Sequence, residues 1–297
     1  MIDRSSAPRF DPAFEVAMPA VWRCPLLFNS PHSGSDYPPE FLARSRLNPL
    51  ALRKSEDFMV DQLFASALGA GAPLIKVNFP RAYLDVNREP YELDPRLFTE
   101  KLPGFANSAS VRVAGGLGTI PRVVCEGEEI YRGPLVLSEA LQRIEMLYRP
   151  YHRALAALVA QGQARFGPCL LVDCHSMPSS AAQHGHPEAP DIVLGDRFGV
   201  SAAGDITALA ETLFRTQGFS VVRNKPYAGG FIAQSYADPR AGRHVLQIEI
   251  NRALYMNERT VEPLAWYPAV AARIGQVVAG LSSAIGALLG PAAIAAE

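Results

Sequence analysis

Apolar residues occur along the chain in short blocks of two kinds, and the two kinds alternate. Residues 25–29, 74–79, 169–173, 192–194, 219–223 and 244–251 are compact runs dominated by Leu, Ile, Val and Phe, and they predict buried strands. Between them, residues 56–68, 138–165 and 205–217 carry apolar side chains at helical spacing. Ser55 and Asp205 stand where an N-cap is expected, Gly69 and Gly218 where a helix stops, and Pro150 interrupts the second segment. One more helix is expected over 274–296. Strands separated by helices predict an α/β fold, a single domain over 1–297 with a mixed, mostly parallel sheet and helices on both faces. In such sheets chemistry collects beyond the strand ends, in the loops. Gly and Pro concentrate at 31–39, 102–121, 185–190 and 225–242, which predicts long functional loops there.

Composition narrows this picture. The 297 residues are 48% hydrophobic and 19% charged, and a folded chain of this size buries roughly three quarters of its surface, so disorder is excluded. With 28 basic against 29 acidic side chains, no general electrostatic excess draws nucleic acid or an anionic membrane, and neither is an expected partner. The uncharged stretch 274–296 is long enough to span a bilayer, but Gln276, its Ser and Gly residues and Pro291 point to a buried helix instead. Cys24, Cys125, Cys169 and Cys174 read as reduced thiols, and no secretory pattern opens the chain, so a cytoplasmic protein is expected.

Two histidines fall at predicted strand ends: His32 in the 29–34 segment NSPHSG and His175 in the 173–176 segment DCHS. The small residues beside them leave room for a ligand at the imidazole edge, and a divalent metal would fill it. A hydrolytic zinc site needs a third protein ligand, for which Glu56 and Asp57 are both candidates, although acidic residues in a first helical turn are also favoured by the macrodipole. After the 74–79 strand come Arg81, Asp85, Asn87 and Arg88, a set whose guanidinium forks match a carboxylate, or else pair with Asp85. In 244–251, alternation puts Leu246, Ile248 and Ile250 on one face and Gln247, Glu249 and Asn251 on the other. Glu249 thus needs a nearby cation or serves as an acid or base in a cleft. His152, His184, His186 and Cys174 read as structural or solvated. The glycines at 115–118 and 229–230 lack the spacing of a nucleotide cradle.

Together, Pro31-His32-Ser33-Gly34, Ser55-Glu56-Asp57 through Asp61, Pro80-Arg81 through Asp85-Val86-Asn87-Arg88, Ile130-Tyr131-Arg132, Pro150-Tyr151-His152, Asp173-Cys174-His175-Ser176, Gly229-Gly230-Phe231-Ile232 and Gln247-Ile248-Glu249 with Tyr255-Met256 resemble the N-formylglutamate amidohydrolase family, in the family's order over about residues 24–258. The resemblance implies a zinc-carboxypeptidase-like fold and a zinc-dependent hydrolase, one ion per chain. Its substrate would be a small anionic N-acyl amino acid, most simply N-formyl-L-glutamate in histidine degradation, handled by a monomer or homodimer. It makes His32, Asp57 and His175 the metal ligands, with Glu56 the alternative third, because the second acid of the family's Asp-x-Asp falls on Asp57. It makes Glu249 the general base, Arg81 the group that polarises the scissile carbonyl, and Asn87, Arg88, Tyr131 and Arg132 the substrate contacts. The chain departs from the family in having Ser55 for the first acid of that motif, Ser235 where many relatives have histidine, and Tyr236-Ala237 for Tyr-Gly.

Overall fold

The computed structural model of the chain describes residues 10–125, 127–182 and 189–290, so His184 and His186 lie outside the described residues. The chain forms two compact units: one comprises Val16–Ser30, Asp57–Lys76 and Leu155–Glu297, the other Met1–Glu15, Pro31–Glu56 and Val77–Ala154.

A seven-stranded sheet is built from β1 (Phe14–Ala17), β2 (Leu26–Ser30), β3 (Leu74–Val77), β4 (Cys169–Met177), β5 (Ile192–Gly195), β6 (Val221–Arg223) and β7 (Arg243–Asn251), in the order β1-β3-β2-β4-β7-β5-β6. β2 lies parallel to β3 and β4, β4 parallel to β7, and β5 parallel to β6, while β5 runs antiparallel to β7. The α/β class with a mixed, mostly parallel sheet is therefore as expected. All nine residues of β4 are buried, which is why its sequence reads as a continuous apolar run instead of an alternation.

Alternation nevertheless decides what each face does. Leu26, Phe28, Leu170, Val172, Cys174, Leu246 and Ile248 belong to one core cluster with Ile206 and Phe214 of the helix Gly204–Thr216 and Ile274 and Leu281 of the helix Tyr267–Leu288. On the opposite side, the register pairs Leu27 with Leu171 and Leu171 with Val245. Two residues further on it pairs Asn29 with Asp173 and Asp173 with Gln247, and beyond those His175 with Glu249. That face thus turns from apolar to polar toward the carboxyl ends of its central strands, since a side chain recurs on the same face every second residue.

The second unit is loop-rich, with the short helices Pro39–Arg44, Pro49–Leu52 and Val111–Ala114. Its core includes Phe41, Tyr83 and Tyr131, and the buried Arg143 guanidinium lies 3.8 Å over the Tyr83 ring. The long helical segment expected to break at Pro150 instead passes from Leu137–Arg143 through a π-helical stretch, Ile144–Tyr148, into Arg149–Phe166. Proline brings no N–H to its own turn, and the wider turn ahead of it keeps the helix continuous.

Four local expectations are corrected. No helix covers 56–68: Arg53–Ser55 is a 3-10 turn, Glu56 is extended, Met59 adopts a left-handed φ of 55°, and only Val60–Leu63 is α-helical. Ser55 does not cap a helix, since its hydroxyl donates back to the Leu52 carbonyl. Asp205 lies inside the first turn of Gly204–Thr216, whose N-cap is Ala203. The last helix begins at Tyr267, with Pro268 in its first turn. Its Arg273 guanidinium stacks 3.7 Å over Phe219 and donates to the Gln217 carbonyl.

By length and composition this helix could cross a membrane, yet Val270, Ile274, Val277, Val278, Leu281 and Ile285 all lie in the core cluster. Replacing the fully buried Ile274 by Ala is expected to destabilise the protein by about 2–5 kcal/mol, read as a lower urea midpoint at unchanged m-value. A midpoint equal to the parent's would show that the helix does not pack there.

Candidate functional site

In the sheet-bearing unit the polar corner is organised around His175. The imidazole lies within β4, two residues before its end, and not beyond the strand as the sequence suggested, because β4 continues to Met177. Its Nε2 is 3.0 Å from Asp173 Oδ2, and Asp173 in turn accepts from Asn29 Nδ2 at 2.7 Å. Its Nδ1 is 3.0 Å from Asp57 Oδ2. The other oxygen of Asp57 is occupied: Arg252 Nη2 donates to Oδ1 at 3.0 Å and Ser176 Oγ at 3.1 Å, while Arg252 Nε holds the same serine at 3.0 Å. Glu249 is the sheet neighbour of His175, about 4.8 Å away at the backbone as adjacent strands are, and accepts from Gln247 Nε2 at 2.8 Å. Gln247 is itself fixed by the Gly230 N–H at 2.8 Å, so the Gly-Gly loop sets the position of Glu249 through one amide.

Three buried carboxylates, Asp57, Asp173 and Glu249, thus gather here, with the Arg252 guanidinium on Asp57. Burial disfavours a charged imidazole, but the Asp173 charge, the hydrogen bonds to Asp173 and Asp57 and the Glu249 charge outweigh it and hold the His175 pKa well above its ordinary value. Such a corner favours positive charge.

The other unit carries a matching arrangement. His32 lies two residues past β2, and its Nε2 is 2.8 Å from Asp85 Oδ1. Gly34 lets this loop press on its neighbour: a Cβ there would sit 2.2 Å from the Phe79 carbonyl oxygen. Asp85 also accepts from the Asn87 backbone N–H and from Arg81 Nε at 2.8 and 2.9 Å, with Arg88 Nη2 at 3.6 Å. Burial would raise the Asp85 carboxyl, but the charges of Arg88, Arg81 and His32 prevail and hold it well below the carboxylate range. Burial likewise pushes Arg88 down to about 10 against the pull of Asp85. The alternative weighed in the sequence, that these arginines pair with Asp85, is realised. Arg88 also donates Nε to the Leu117 carbonyl, which fixes the plane of its guanidinium.

His175 and Asp57 in the sheet-bearing unit, and His32 in the loop-rich unit, are each buried and each offer a ligand atom. Two imidazole nitrogens and one carboxylate oxygen are a donor set that zinc accepts. Each ring has its Nε2 on a carboxylate, Asp85 or Asp173, the backing that fixes a ligating histidine's tautomer and orientation and turns Nδ1 toward a cation. The residues therefore fit the metal. Glu56, the rival third ligand, is bound by Arg53 through both oxygens at 3.0 Å and by the Tyr37 hydroxyl at 3.3 Å.

Other candidates fall elsewhere. His152 Nε2 meets the Val86 carbonyl at 2.9 Å, and Cys174 is buried in the apolar cluster on the face away from His175. Tyr131 is buried with its hydroxyl accepting from Arg143, and Arg132 donates to the Ser45 carbonyl. Sequence reading missed Asn29, Asp173, Ser176, Gln247 and Arg252, and took Asp85 only as an arginine partner. The two-residue spacing of Asp173 from His175 and of Gln247 from Glu249 was the available signal, since each pair shares a strand face. Nothing in the sequence marked Arg252 as the partner of a residue 195 positions away.

A family model described as N-formylglutamate amidohydrolase matches residues 24–256. N-formylglutamate deformylases of Pseudomonas aeruginosa and Pseudomonas putida are 28% identical over 240 residues and 29% identical over 254. These alignments cover 80% and 82% of this chain and 84% and 85% of the two relatives. The crystal structure of N-formylglutamate amidohydrolase from Ralstonia eutropha is 33% identical, with a TM-score of 0.86 over 91% of this chain and 97% of that one.

Arg252→Ala strips both donors from a buried carboxylate network and is expected to destabilise the protein by about 3–5 kcal/mol. Arg149→Ala removes an exposed pair with Glu145 and is expected to cost less than about 1 kcal/mol. Denaturant titrations of both variants make the comparison, and two small effects of equal size would contradict a buried, interdependent network.

Proposed function

The chain belongs to the N-formylglutamate amidohydrolase family, and on that premise we propose that it hydrolyses the acyl amide of an N-acylated acidic amino acid, with N-formyl-L-glutamate cleaved to formate and L-glutamate. The observation that carries the reading is the buried group of His175, Asp57 and Glu249 within one unit, His175 on Asp57 at 3.0 Å and Glu249 in register beside it. His32, Asp57 and His175 would hold a zinc ion, which when bound supplies Lewis-acid polarisation and an acidified water.

An amide resists water because the nucleophile must lose a proton while negative charge builds on the carbonyl oxygen. Glu249 takes the proton and returns it to the departing nitrogen. Its hydrogen bond from Gln247 holds the side chain in place. Arg81, oriented by its Nε contact with Asp85, donates to the developing oxyanion through its terminal nitrogens. Asn87 and Arg88 receive a substrate carboxylate. Because Asp85 and the Leu117 carbonyl already fix the Arg88 guanidinium, little side-chain entropy is lost when the substrate docks.

Glu249→Gln is expected to lower kcat by about 10²–10⁴-fold while zinc content, measured by elemental analysis, stays close to that of the parent. An active variant removes Glu249 from the base role, and a variant that loses zinc makes it a structural residue. Among N-formyl, N-acetyl and aminoacyl derivatives of glutamate and aspartate, the formyl-glutamate compound is expected to show the highest kcat/KM. No turnover of any of them would contradict the proposal.

A further inference from the structure

Away from the histidines and carboxylates described above, the loop-rich unit encloses a cavity of about 220 Å³ lined by Arg46, Arg96, Arg122 and Arg132 with Glu129 and Tyr131. We propose that this cavity binds a small dianion, a phosphate or a dicarboxylate. Tyr131 and Arg132, which the resemblance gives to the substrate, are part of its lining, so the variants that test it are made at Arg46 and Arg96.

Charge carries the argument. Four guanidiniums meet here, and among the described residues two carboxylates answer them. Glu129 divides its oxygens between Arg122 Nη1 at 2.7 Å and Arg46 Nη1 at 3.0 Å. The buried Asp94 accepts from Arg122 Nε at 2.8 Å and from Arg96 Nε and Nη2 at 2.9 and 2.8 Å. Arg132 has no carboxylate partner among the described residues and is anchored by Nε on the Ser45 carbonyl at 2.8 Å. Two positive charges are therefore left over in a concave site, where field lines concentrate.

The donors are also held in place. Arg96 is braced further by the Val113 and Ala114 carbonyls, and Arg122 is only 16% exposed. Each arginine is tied down along part of its fork. Arg96 Nη1, Arg122 Nη2, Arg46 Nε and Nη2, and both terminal nitrogens of Arg132 make no hydrogen bond to any described residue. Guanidiniums fixed in this way offer paired N–H donors at the spacing of phosphate and carboxylate oxygens, and little entropy remains to be lost on binding. The volume falls below the roughly 300–1,000 Å³ of drug-sized sites, which limits the ligand to a compact ion. A scaffold serving stability alone would balance its charges, because unpaired like charges repel.

The test uses the zinc-loaded full chain at constant ionic strength, with sodium chloride exchanged for inorganic phosphate in one arm and for glutarate in the other. Calorimetry is expected to show saturable binding of at least one anion, with a parallel concentration-dependent rise in Tm. Arg96→Gln and Arg46→Gln are each expected to weaken that binding at least about tenfold, the loss of one charge-assisted fork. Arg149→Gln, an exposed arginine outside the cavity, is expected to leave it unchanged. Phosphate alone identifies a phosphoryl ligand and glutarate alone a dicarboxylate. Since glutarate also resembles the reaction product, its binding is assigned to this cavity only if Arg96→Gln and Arg46→Gln weaken it. Absence of saturable binding in both arms, or binding unchanged in Arg96→Gln and Arg46→Gln, overturns the proposal.

Discussion

A carboxylate can be buried only where donors or cations replace the water it loses, and the polar corner of this sheet is built under that constraint. Asp57, Asp173 and Glu249 are all buried in one unit, and their compensation comes from Arg252, Ser176, Asn29, Gln247 and the ring of His175. Each donor is aimed at one oxygen. Arg252 and Ser176 take Oδ1 of Asp57 and leave Oδ2 toward His175. The same division recurs at Glu249, where Gln247 takes Oε1. The corner is rigid because its electrostatics allow few other arrangements.

Sheet register turns this local chemistry into a site. β2, β4 and β7 lie side by side in parallel, so one polar position on each strand aligns into a row: Asn29, Asp173 and Gln247, followed two residues later by His175 and Glu249. The reverse faces of these strands are packed with Phe28, Val172, Cys174, Leu246 and Ile248. A slip of one residue would drive that apolar set into the polar corner and the carboxylates into the core, so the hydrophobic pattern enforces the geometry of that corner. In the other unit, Asp85 does comparable work as the common acceptor for His32, Arg81 and the Asn87 backbone.

The sequence carried more of the fold than of the support around the site. Strands showed in the apolar runs because parallel strands buried on both faces leave a composition signal, and the helix Gly204–Thr216 showed in its 3.6-residue period. The segment after Glu56 was misread because Phe58, Val60, Leu63 and Phe64 are spaced as in a helix, while Met59 takes a left-handed turn that the pattern does not encode. His32, Asp57, His175 and Glu249 could be picked out as chemically unusual residues in small-residue or apolar surroundings. Arg252 and Asn29 could not, since their significance lies only in what folding brings to them across 195 and 144 positions. Spacing alone did not separate Glu56 from Asp57, and it did not mark the fork by which Arg53 holds Glu56.

The most direct test of the account is anomalous X-ray scattering collected on either side of the zinc absorption edge from crystals of the zinc-loaded protein. The account expects a single strong peak within about 2.0–2.2 Å of His32 Nδ1, His175 Nδ1 and an Asp57 oxygen, with Asp85 and Asp173 still on the two Nε2 atoms. A peak bound by Glu56, or one on His32 or His175 but not both, would contradict it.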